Sequence, residues 1–264
     1  MAFVASALMY FVIGTVASTL NGGIGLGGGL VLSACLTIVP PLFGFRPISM
    51  FVIGAYVATL SIVSAGVGFI SYLRTHMVNL TYVLYAGIPA IVGSGFGSEW
   101  AHTLPNRILL GILTMALLGS LVLFWRPMTS TDGQPTARRR SLVGLLCLVI
   151  GVLGGLLGIG GGFLTMPVLV GVGGLKVRTA IGTGLGVNMG IALTSESIRL
   201  AHVNSLSLVI VAIIIATGGL GAQIGVRLNR GVSEGTLRVV GTVVIMALSL
   251  PVLLETLGVR LIGL

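Results

Sequence analysis

The chain has 264 residues, 55% hydrophobic and 7% charged; a soluble globular domain carries about 25% charged residues, so water is not its main solvent. Its formal net charge of +9 is spread singly between apolar runs, apart from Arg138-Arg139-Arg140, and reads as topological anchoring rather than as a nucleic-acid-binding surface. Several apolar runs exceed the ~18 residues that cross a bilayer core, and the alternation of a membrane barrel is absent, so the expected fold is an all-α polytopic membrane protein.

The first five residues carry no Lys or Arg, so the opening apolar run is expected to be retained rather than cleaved as a secretory signal. That run, 3–43, is broken by Asn21-Gly-Gly-Ile-Gly-Leu-Gly-Gly-Gly29. Arg46 precedes an apolar helix expected over 48–71, the pair Gly93-Ser-Gly95 falls in the next stretch, and a further helix is expected over 108–124. A polar segment, 126–140, holds Pro127, Asp132, Gly133, Pro135 and the arginine run. After it the order recurs: a run over 142–172 broken by Gly154-Gly-Leu-Leu-Gly-Ile-Gly-Gly-Gly162, then Arg178 before a helix over 180–199, the pair Gly219-Leu-Gly221, and a last helix over 236–254. The organisation read from this is a first membrane repeat at 1–125, a cytoplasmic linker at 126–140 and a second membrane repeat at 141–264.

Arginine placement tests the parity of the repeats. If each broken run crossed once, the basic residues would divide evenly between the two faces. If each is a hairpin, Arg74, Arg126, Arg138, Arg139, Arg140, Lys176, Arg178, Arg227, Arg230 and Arg238 share one face, and only Arg46, Arg107, Arg199 and Arg260 lie opposite. The hairpin reading restores a positive-inside bias. It predicts two inverted repeats, each a glycine-tipped broken or re-entrant helical hairpin plus three transmembrane helices.

Three or more glycines in five residues unwind a helix, and unwound backbone at membrane depth must face protein or water. Each motif, Gly25 to Gly29 and Gly158 to Gly162, opens a short helix whose positive end points at the tip, a setting that attracts anions. The competing reading is that the glycines only let helices pack closely, and packing is the expected role of Gly182, Gly186 and Gly190. Gly23-x-Gly25-x-x-Gly28 fits a dinucleotide pattern, but no strand-helix-strand unit surrounds it.

Sparse polar residues mark two helix faces as pathway linings: Ser49, Tyr56, Ser64 and Ser71 on one, Gly184, Asn188, Ser195 and Arg199 on the other. Counted from Arg46 and Arg178, Tyr56 and Asn188 are equivalent. Glu196, three residues before Arg199, is expected to pair with it locally, with a proton-coupling role as the alternative for a membrane carboxylate. Glu99 lies near a helix end, and His76 and His202 are expected to start corresponding helices at the interface. Cys35 and Cys147 read as small buried hydrophobes. No nucleophile, base and orienting residue cluster, and no metal-ligand spacing appears, so neither an enzyme nor a cofactor is expected.

The Gly-x-Gly-Gly-Gly core once per half, the chain length and the basic linker together resemble the sulfite exporter TauE/SafE family of membrane permeases. The resemblance implies export or uptake of small sulfur-containing anions, such as sulfite or organosulfonates, across the cytoplasmic membrane. Its glycine motifs fall on Gly25, Gly27, Gly28, Gly29, Gly158, Gly160, Gly161 and Gly162. Pro167 follows the second motif as is usual in the family, whereas the first reaches prolines only at Pro40 and Pro41. The expectation is a secondary transporter that holds its anion between the tips, with Asn21, Tyr56, Ser64, Asn188 and Ser195 as neutral groups and Arg46, Lys176, Arg178 and Arg199 concentrating anions at the entrances. Its partners would be a small anion and the lipid bilayer, not nucleic acid; self-association is left open, and a channel-like pore or a non-transporting scaffold are the alternatives.

Overall fold

The computed structural model describes residues 2–25, 27–43, 47–125, 137–203, 206–232 and 234–256. Every regular element among them is a helix: α1 (Ala2–Ile24), α2 (Gly28–Leu42), α3 (Met50–Arg74), α4 (Leu80–Ala101), α5 (Asn106–Trp125), α6 (Ala137–Leu157), α7 (Gly162–Gly171), α8 (Val177–His202), α9 (Leu208–Gly231) and α10 (Glu234–Thr256). The helices expected over 48–71, 108–124, 180–199 and 236–254 are present as α3, α5, α8 and α10. Ser49 accepts from the Val52 amide to start α3, and Asn79 accepts from the Tyr82 amide to start α4. Arg138, Arg139 and Arg140 stand in the first turns of α6, while Arg46 lies outside the described residues.

Among the described residues, five stretches are long and apolar enough to span a bilayer: Ser6–Ile24, Met50–Arg74, Leu80–Ala101, Ala137–Leu157 and Leu208–Asn229. Large apolar side chains such as Leu84, Ile88, Phe96, Met115, Leu145 and Leu250 are exposed on the outer surface, as lipid-facing residues should be. Helix α8 is as long as any, yet it carries Arg178, Thr183, Asn188, Ser195, Glu196 and Arg199. Asn188, Ser195 and Arg199 are fully buried, so its polarity is turned inward.

The two halves interlock. Helix α1 packs on α9, α6 on α4, and α3 on α8, so each main contact joins one half to the other. Gly182 backs onto Tyr72, Gly186 onto Phe69 and Gly54 onto Arg199, which makes α3 and α8 antiparallel. Gly190 meets Ile91 of α4, so all three glycines of the four-residue spacing do serve packing.

Contacts recur in matched pairs, and they correct the register read from sequence. Gly22 lies against Ala222 and Gly155 against Ser94; Gly221 meets Thr15 and Gly93 meets Leu148; Gly225 meets Thr19 and Gly97 meets Val152. Gly93 thus corresponds to Gly221, not to Gly219. The Tyr72 hydroxyl donates to the Gly22 carbonyl at 3.4 Å, and Arg199 donates to the Gly155 carbonyl at 2.7 Å. Aligning Tyr72 with Arg199 aligns Met50 with Val177, the first residues of α3 and α8, and sets Asn188 opposite Ser61 rather than Tyr56. Counting from Arg46 and Arg178 gives a different pairing because the two arginines sit at different sequence distances from Met50 and Val177. The histidines are corrected too: His202 ends α8 and His76 lies in the turn after α3, so both close helices rather than open them.

Candidate functional site

The chain leaves helix at Ile24 and re-enters at Gly28, and does the same between Leu157 and Gly162. Gly27 caps α2 at φ 67° and Gly161 caps α7 at φ 73°, a left-handed geometry that costs an L side chain about 1–2 kcal/mol. Neither cap offers a side chain to the helix. The Gly27 carbonyl accepts from Leu30, and the Gly161 carbonyl from Leu164 and Thr165. The amides before them, of Gly28, Gly29, Gly162 and Phe163, have no acceptor within their own helices. A Cβ on Gly27 would lie 3.1 Å from the Phe163 nitrogen and 3.4 Å from that of Gly162. The positive ends of two helices therefore meet in one small region.

Helices α3 and α8 wall this region. Gly158 sits on the Gly54 backbone, and a Cβ on Gly29 would lie 2.9 Å from Val57. Asn188 faces the second tip: a Cβ on Gly160 would overlap its carboxamide, and one on Gly162 would lie 3.2 Å from its Nδ2. Asn188 is 0% exposed, yet among the described residues neither Oδ1 nor Nδ2 has a hydrogen-bond partner. Burying such a group unpaired costs about 1–3 kcal/mol per lost interaction.

Two further orphaned polar atoms point to the same layer. Asn21 donates from Nδ2 to Ser64 Oγ at 2.6 Å, which leaves its Oδ1 unpaired, and its Cβ lies 3.0 Å from the position a Cβ on Gly28 would take. Ser61 Oγ is buried and unpaired, one turn beyond Val57 on the same face of α3. Asn21 and Ser64 are thus brought together beside the first tip, and Asn188 stands at the second. Gly25, which a Cβ would press to 3.2 Å from Ile181, closes the first break against α8.

Other expected site residues are placed elsewhere. The Tyr56 hydroxyl accepts from the Ser207 amide at 3.0 Å, which ties α3 to the start of α9. Arg199 does not lie at an entrance: it is 0% exposed. Its guanidinium donates to the carbonyls of Phe51, Gly155 and Leu156 and to Ser195 Oγ at 2.7–3.1 Å, and stacks 4.8 Å from the Phe51 ring. Ser195 Oγ accepts from Arg199 and keeps its own proton to donate. The local Glu196–Arg199 ion pair is absent among the described residues: Glu196 Oε1 accepts from Thr59 at 2.8 Å and its Oε2 is unpaired. The reason is geometric, because the carbonyls ending α6 supply a dense negative site that draws the guanidinium across the helix. Arg178 donates to the Asn229 carbonyl at 3.5 Å. Thr59 and Glu196 line an otherwise apolar cavity of about 460 Å³ with Leu200, Leu206 and Val211.

Over residues 10–252 the chain matches the family model Sulfite exporter TauE/SafE. The chain belongs to the TauE/SafE family. Over 282 aligned residues it is 25% identical to the Probable membrane transporter protein YunE of Bacillus subtilis (strain 168), an alignment covering 95% of this chain and 98% of that protein. No solved structure matches it. It is a multi-pass membrane transporter of the TauE/SafE type, and the twin glycine motifs quoted above are the part of that resemblance visible in the chain itself.

The TauE/SafE sequence by itself does not mark Ser61, Thr59 or the cluster of Glu99, His102 and His202. Ser61 falls level with Asn188 when positions are counted from the starts of α3 and α8. Thr59 and the histidine cluster depend on α3, α4 and α8 meeting in space, which no spacing reports.

Proposed function

We propose that the protein is a secondary transporter, acting as an exporter, of small sulfur-containing anions such as sulfite or organosulfonates, with the anion held between the two glycine tips. The observation that carries this reading is Asn188, a fully buried carboxamide with no partner, aimed at uncapped backbone of the second tip. Backbone amides and one neutral donor suit an anion that must be released as well as bound. The substrate class rests on the family, and the binding place rests on the tip geometry.

The matched contacts support two repeats of inverted orientation, because the equivalent helices α3 and α8 run antiparallel. They also support the hairpin topology. The Asn79 amide donates to Thr183 Oγ1 at 2.9 Å, which brings the Arg74 end of α3 beside the Arg178 end of α8. The His102 and His202 rings stack at 4.3 Å, which puts the ends of α4 and α8 on one face. The linker side is then the arginine-rich, cytoplasmic side. Glu196, with one free oxygen in a cavity, is the group we assign to coupling with a proton.

In proteoliposomes, sulfite flux should saturate, and Gly160→Ala should reduce it at least ~10-fold by forcing Asn188 out of position, a loss of the order of one hydrogen bond to a charged ligand. Flux that does not saturate would indicate a pore, and no flux of sulfite or any organosulfonate would leave a scaffold. Glu196→Gln should still exchange substrate down its own gradient but should no longer concentrate it when a pH gradient is applied. Undiminished pH-driven accumulation in that variant would remove Glu196 from the coupling step.

A further inference from the structure

The ends of α4 and α8 carry a cluster that the transport site does not use. Glu99 and His102, three residues apart in the last turns of α4, present two ligand groups on one helix face. His202, the last residue of α8, faces them, and the carboxylate and imidazole ligand atoms of all three lie within 4.8 Å of one another. The two imidazoles are nearly parallel, 20° apart with centroids 4.3 Å apart.

We propose that Glu99, His102 and His202 form a binding site for a divalent transition-metal ion of the Zn²⁺ class, clamping α4 to α8 at one membrane face. Two hydrogen-bonding details favour a metal over a simple ion pair. His202 Nδ1 lies 3.0 Å from the Ile198 carbonyl. Donation there fixes the tautomer and leaves the Nε2 lone pair free toward Glu99, the arrangement in which a backbone acceptor orients a metal-ligating histidine. His202 Nε2 is then 4.0 Å from Glu99 Oε1, too far for a hydrogen bond. Two ligands of a tetrahedral zinc ion, each about 2.0–2.2 Å from it, stand about 3.4 Å apart, so this pair would close by about 0.6 Å around the ion.

Three protein ligands of the set His₂Glu leave a position for water. The cluster adjoins a cavity of about 310 Å³ lined by Ser49, Phe51, His102, Leu104, Asn106 and His202, which supplies room for it. A metal here would join the last turn of α4 to that of α8 beside the segments that start α3 and α5.

The test uses the full chain without an affinity tag of histidines, in nanodiscs, with Co²⁺ as the spectroscopic probe. One equivalent of Co²⁺ should give visible d–d bands of a nitrogen- and oxygen-ligated site and be displaced by Zn²⁺. His102→Ala and His202→Ala should each weaken binding at least ~10-fold, the scale already lost when a supporting group is removed. His76→Ala, far along the chain in the turn after α3, should bind as the parent does. All three histidine variants should melt like the parent without metal, since the side chains are exposed. Absent d–d bands, or bands unchanged in His102→Ala and His202→Ala, would overturn the site. The readout needs no transported substrate, so it fails or succeeds separately from the transport reading.

Discussion

Alanine in place of Asn188 is expected to remove anion transport while leaving thermal stability at or above that of the parent. Deleting a fully buried side chain ordinarily costs stability, because it leaves a cavity and strands its hydrogen-bond partners. Asn188 has no partners to strand: both carboxamide atoms are buried and unpaired. Losing them relieves a desolvation cost of about 1–3 kcal/mol, which offsets the small cavity. In the anion-bound state the same group would donate a hydrogen bond to a charged ligand, worth about 1.5–3 kcal/mol, or roughly 10- to 150-fold in affinity. Asn188→Ser should retain part of the flux, since a hydroxyl keeps one donor, whereas Asn188→Asp should abolish it by setting a negative charge against the substrate. Flux assays and melting curves on the same proteoliposome preparations separate these outcomes. An alanine variant that melts well below the parent and transports normally would assign Asn188 to structure alone.

Arg199 is expected to show the opposite pattern, a stability loss first. Its guanidinium holds three carbonyls and Ser195 in one buried fork, and two of those carbonyls, of Gly155 and Leu156, belong to the last turn of α6, just before the second glycine tip. A planar, delocalised cation can satisfy this divergent set, and an ammonium cannot. Arg199→Met should therefore cost at least about 3 kcal/mol, the worth of two charge-assisted hydrogen bonds, and lower the melting temperature by roughly 6–12 °C for a chain of this size. Arg199→Lys should recover less than half of that. The Gly158–Gly161 break starts where α6 is pinned, so flux should fall along with stability in both variants. Parent-like melting of the methionine variant would mean that water replaces the guanidinium at these carbonyls and that the fork is not structural.

The sequence disclosed much of the frame. Sparse charge and long apolar runs are enough to dictate spanning helices, since lipid leaves backbone no other solution. Clustered glycines dictate where those helices break, since the left-handed caps at Gly27 and Gly161 admit little else. The expected breaks, the short helices that follow them, the packing role of Gly182, Gly186 and Gly190, and the membership in the TauE/SafE family all follow from such local or whole-chain signals.

The expected pairing of Glu196 with Arg199 fails. Glu196 and Arg199 are close in sequence, yet one turns to Thr59 on α3 and the other to the end of α6. Tyr56 and Ser195 sit on the expected helices, where their oxygens accept from the Ser207 amide and from Arg199, partners that no spacing foretells. Spacing along one helix states which residues share a face; it does not state what that face meets.

The glycine motifs mark the same boundary. By itself the sequence determined that two unwound tips exist and that each begins a short helix, because those properties depend on backbone sterics within a few residues. Only the tertiary structure decided that the tips adjoin, that Asn188 lies unpaired against the second one, and that Ser61 is buried and unpaired one turn beyond Val57. Those facts come from α1 crossing to α9, α6 to α4 and α3 to α8, contacts between residues far apart in the chain whose register is set by close glycine packing in the interlocked whole.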